Sequence, residues 1–171
     1  YYVESINVQN LKNEIFKNPS KDHQQITNLI NKFSGQVSGE SIIEKNQVEI
    51  KEIFEQENIE EILNKTYSLS QNGSEFSKNT EHELKGKSPT SLKITFKQIH
   101  MATEMSLRDA LIMEYRMVQR CQASGDFYEG VRAMLVDKDR NPQWKPSNLD
   151  KVDEIWVNHF FEPLHEKDLK I

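Results

Sequence analysis

The sequence predicts an all-α, multi-helix chain. Apolar residues recur at spacings of three and four through most of its length. Ser, Asn or Asp stands in front of most of those stripes, where a side-chain oxygen takes up a free helix amide. No pair of alternating runs joined by a tight turn reads as a strand hairpin, and no fixed-period repeat is present.

The elements follow in chain order. Val8, Leu11, Ile15 and Phe16 make a short amphipathic helix that Asn18 and Pro19 stop, because proline has no amide to donate in a helix interior. A second helix starts near Asp22, carries Ile26, Leu29, Ile30 and Phe33, and ends at Ser34-Gly35. Residues 1–33 thus read as a helical hairpin. Residues 34–45, SGQVSGESIIEK, read as a linker, since Gly and Ser break the apolar period and raise chain entropy. Ser38 between Gly35 and Gly39 lacks the central placement a hydrolase nucleophile elbow requires.

Residues 46–171 read as one helical region. Val48, Ile53 and Phe54 predict a short helix; Asn58 and Glu61 form a capping-box pattern before Ile59, Ile62, Leu63 and Tyr67. After a turn at Gln71-Asn72-Gly73, Phe76, Thr80 and Leu84 share a face. Ser88-Pro89 opens the next helix, with Leu92, Thr95, Phe96 and Ile99 as its buried stripe. Ser106 with Asp109 caps the longest one, expected to bury Leu107, Ala110, Leu111, Met113, Met117, Val118 and Cys121 before Ser124-Gly125. Asp126 with Glu129 and Ser147 with Asp150 are expected to cap two further helices. The first carries Phe127, Val131, Met134 and Leu135, and the second Leu149, Val152, Ile155, Trp156 and Phe160.

Composition narrows the function. With 36% apolar and 29% charged residues the chain is polar for a globular protein, so an interface is expected to supply part of its burial. A formal net charge of -5 opposes broad attraction to nucleic acid or an anionic membrane, and no apolar run reaches the length of a membrane span. The single cysteine, Cys121, leaves no disulfide framework or multi-cysteine zinc site and reads as a structural thiol. The start, YYVESINVQN, has neither a signal-peptide nor a transit-peptide pattern and no Met, which points to a processed or truncated product.

Few groups offer chemistry. His23, His82, His100, His159 and His165 are scattered without the paired spacing of a helical metal site, so no metal is expected. Neither phosphate-binding glycine pattern occurs among the six glycines. Lys85, Lys87, Lys93 and Lys97 surround the helix start at Ser88, either as an anion site or as a solvated basic face. Glu114 interrupts an apolar stripe and is expected to be a buried ion-pair member, with Arg116, Arg120 or Arg132 as partner. Asp137, Lys138, Asp139 and Arg140 alternate in sign, as a hydrated turn or a surface for a charged ligand. Trp144, between Pro142 and Pro146, reads as closing the edge of the core.

Three stretches carry a resemblance: SPTSLKIT at 88–95, MEYR at 113–116, and DFYEGVRAMLVDKDRNPQWKP at 126–146. At this spacing they resemble the C-terminal part of acyl-CoA hydrolases in the crotonase (enoyl-CoA hydratase/isomerase) superfamily, and the ending DLKI is similar too. The likeness is specific from Ser88 onward and weaker back to Tyr2. It implies hydrolysis of the 3-hydroxyisobutyryl-CoA thioester in valine breakdown, in the mitochondrial matrix, with no cofactor beyond the CoA carried by the substrate. It also implies that the oxyanion hole and catalytic acids lie in an upstream α/β core. Their motifs have no counterpart here, so no catalytic residue is assigned, the core is the expected partner, and the segment alone is expected to be inert and to self-associate.

By the same resemblance Glu129, Gly130, Met134 and Lys138 fall where the family bounds the CoA pocket. Met134 and Lys138 are the candidate CoA contacts, with Glu114 and Arg132 as structural residues. Met134 stands where many relatives have Phe, and DKDR replaces a more basic turn. The competing expectation is a non-enzymatic helical module, resembling crotonase-like proteins of mitochondrial ribosomes.

Overall fold

The computed structural model describes residues 1–37 and 39–171; Ser38, which the elbow argument concerned, lies outside the described residues. Helices dominate, and the pairing of Val3 with Ser34 is an isolated bridge rather than a strand, as expected of an all-α chain. Two compact units are present, Tyr1–Gln47 and Val48–Ile171.

In the first unit, α1 (Ser5–Lys17) and α2 (His23–Phe33) pack on each other. The Asp22 carboxylate caps α2 by accepting from the Gln24 amide at 2.9 Å. Gly35 donates its amide to the Tyr2 carbonyl at 3.0 Å, tying the end of α2 to the start of α1. Neither helix has a buried residue, and of the apolar stripe of α1 Val8, Ile15 and Phe16 are exposed while only Leu11 is half-buried. A single turn, α3 (Ile42–Lys45), follows inside the stretch expected to be a linker. A Ser41–Glu44 capping box holds it, with bonds of 3.0 and 3.1 Å.

In the second unit, α4 (Gln47–Phe54), α5 (Ile59–Gln71) and α6 (Glu75–Lys85) surround a small core of Ile53, Ile59 and Ile62. The Glu49 carboxylate accepts from the hydroxyls of Ser74 and Ser77, tying α4 to the start of α6. Asn58 caps α5 through the Glu61 amide, but Glu61 answers the Glu57 amide instead of Asn58, so only half of the expected box forms.

A second core joins α7 (Pro89–Ala102), α8 (Leu107–Ala123) and α10 (Glu154–His159) through Ile94, Met113, Met117, Val152, Val157 and Phe160. These nine buried side chains, each stabilising by roughly 1.5–3 kcal/mol, are the main favourable term of the unit.

Several sequence expectations are corrected here. Leu107, Leu111 and Val118 of α8 are 77%, 42% and 50% exposed, because Met113 and Met117 point at the core from the opposite side. The last helix starts later than expected: Asp153 caps α10 by accepting from the Trp156 amide at 2.7 Å, whereas 149–151 form only a 3₁₀ turn. The helix expected from Asp126 is α9 (Gly125–Val131), continued as a π-helical turn over Arg132–Val136, in which the Asp137 amide reaches the Arg132 carbonyl at 2.8 Å. Asp126 lies inside its first turn and caps nothing on α9.

Candidate functional site

Within the second unit a cavity of about 660 Å³ lies between α5, α7 and the start of α9. Ile59, Ile62, Leu92, Phe96 and Phe127 supply apolar wall, and Ser88, His100, Cys121 and Asp126 are among the polar and thiol groups along it. Burial pushes the Cys121 thiol up, which disfavours the thiolate a nucleophile needs.

Ser88 is bound from two sides. Its hydroxyl accepts from the Ser91 amide at 3.1 Å, capping α7, and donates to the Asp126 carboxylate at 2.5 Å. The other Asp126 oxygen accepts from the Lys145 amide at 2.9 Å. The carboxylate of the buried Asp126 therefore joins α7, α9 and the segment leading to α10. The lysines around Ser88 are engaged by other partners. Lys85 pairs with Glu81, Lys87 with Glu83 and Lys93 with Glu60, while Lys97 donates to Asn158.

Trp144 packs at the same corner. Its indole N–H donates to the Gly86 carbonyl at 3.0 Å, and its ring lies over Gly130, where a Cβ would meet Cη2 at 3.3 Å. The half-buried ring closes the edge of this unit.

Beyond the π turn, Arg132 is the hub of the 137–143 loop. It makes two bonds to Glu129, at 2.9 and 2.7 Å, and one each to Asp137 and Asp139 at 2.7 Å; it also donates to the Asn141 carbonyl at 3.2 Å. Glu129 accepts the Gln143 amide at 2.6 Å as well. The guanidinium, then the Gln143 amide, pull the Glu129 carboxyl down to about 2. Asp139 is lowered for the same first reason, and Arg132 is raised by Glu129 first and then by Asp139 and Asp137.

The expectation for Glu114 is corrected. Its side chain is exposed and accepts from Gln98 at 3.2 Å, and it forms no ion pair among the described residues, because its face of α8 is not the one that meets the core. Arg116 instead grips Asp168 through both carboxylate oxygens at 2.9 Å, and Arg108 holds the Ile171 main-chain oxygen at 2.7 Å. Met134 and Lys138 are exposed and neighbour the Arg132 hub in sequence; Glu129 and Gly130 serve the loop and Trp144.

Sequence reasoning missed the three-way role of Asp126 and the central place of Arg132. The spacing of Glu129, Asp137 and Asp139 around one arginine was the only trace of the latter. Among the described residues no three His, Cys, Asp or Glu side chains gather as a metal site, and no helix is long and apolar enough to cross a membrane.

The helices around this corner are those of a known class, since the enoyl-CoA hydratase/isomerase family matches residues 1–161. The chain belongs to that family. It is 38% identical over its whole length to the mitochondrial 3-hydroxyisobutyryl-CoA hydrolase of Gallus gallus and 35% to that of Danio rerio, covering 45% of each. The human protein of that name is 35% identical over 99% of the chain.

Among solved structures, a carnitinyl-CoA dehydratase from Mycobacterium thermoresistibile superposes with a TM-score of 0.78 over 99% of this chain and 46% of its own, at 22% identity. An enoyl-CoA hydratase from Rhodobacter sphaeroides superposes at 0.72 over 86% of the chain and 44% of its own, with 26% identity. The chain thus spans about half the length of the proteins it matches.

Proposed function

We infer that this chain is the C-terminal helical part of an acyl-CoA thioester hydrolase that acts on 3-hydroxyisobutyryl-CoA in valine catabolism, in the mitochondrial matrix. Identity of 38% across the whole chain to a relative bearing that activity in its name carries the reading. The helical region covers an upstream core that holds the oxyanion hole and the catalytic acids, and it bounds the CoA side of the pocket through Lys138 and Met134. Residues 34–45 link the N-terminal hairpin to that region. The exposed apolar side chains of α8 and α9, among them Leu107, Val118 and Phe127, fit a surface that meets such a core.

The scattered polar groups of the cavity support inertness of the segment by itself. Ser88 is engaged by Ser91 and Asp126, and Cys121 is held as a thiol, so neither is an activated nucleophile. The full-length gene product should release coenzyme A from 3-hydroxyisobutyryl-CoA, read as free thiol over time. In that protein Lys138→Met should raise KM about three- to tenfold with little change in kcat, as expected for lost binding shared by ground and transition states. Absence of turnover in the full-length protein would overturn the assignment.

A further inference from the structure

We draw no further inference here: the strongest candidate, the apolar cavity between α5, α7 and the start of α9, carries nothing, because the Thr90 hydroxyl in its wall is closed off from solvent and nothing in the structure shows what covers the opening.

Discussion

Asp126 is the residue on which the second unit's corner turns. Its buried carboxylate takes one hydrogen bond from Ser88 and one from the Lys145 amide, and both donors lose their partner when it is removed. Asp126→Ala should cost about 2–4 kcal/mol of stability in chemical denaturation, the range for two charge-assisted bonds with a buried donor left unpaired. Ser88→Ala should cost about 1–3 kcal/mol through loss of the α7 cap and of one hydrogen bond to the buried Asp126 carboxylate. Glu129 makes a prediction of opposite visibility. Its folded carboxyl lies at about 2, below the ordinary 4.5, so its contribution is fully present above pH 4.5 and fades as pH falls toward 2. Carboxyl ¹³C NMR should show Glu129 titrating well below the other glutamates, and Arg132→Met should return it toward the ordinary value.

At the scale of elements, the packing of α9 depends on one missing side chain. Gly130 lets the Trp144 ring lie against the helix, with only 3.3 Å available to a Cβ. Gly130→Val should displace the ring, shift its fluorescence to the red and cost about 1–3 kcal/mol by overpacking. The C-terminal strap makes a parallel case: Arg116→Met should free Asp168 and raise amide exchange across 163–171 while the α10 core around Phe160 stays protected.

Helix positions were legible in the sequence because caps such as Ser88, Ser106 and Asp22 are local and set their helix starts by direct bonds. The faces of α8 were not. Leu107, Met113 and Met117 all read as one apolar stripe, and only the tertiary arrangement decides which of them meets Ile94 and Phe160. Asp126 read as a helix cap because its partners, Ser88 and Lys145, lie 38 and 19 residues away, beyond any local pattern. Arg132 was legible in identity but not in role: the turn it organises depends on a π-helical step that periodicity does not reveal.

For the whole molecule, apolar side chains are plentiful outside the two small cores. Leu107, Leu135, Val136 and Ile155 are each at least 67% exposed, a surface that calls for cover. The 171-residue chain alone should therefore self-associate, with sedimentation showing concentration-dependent oligomers; a monodisperse monomer at high concentration would speak against it. The most direct measurement compares free thiol release from 3-hydroxyisobutyryl-CoA by this chain alone and by the full-length gene product. Turnover by the full-length protein and none by the chain is the expected result, and turnover by the chain alone would contradict the assignment of the chemistry to the upstream core.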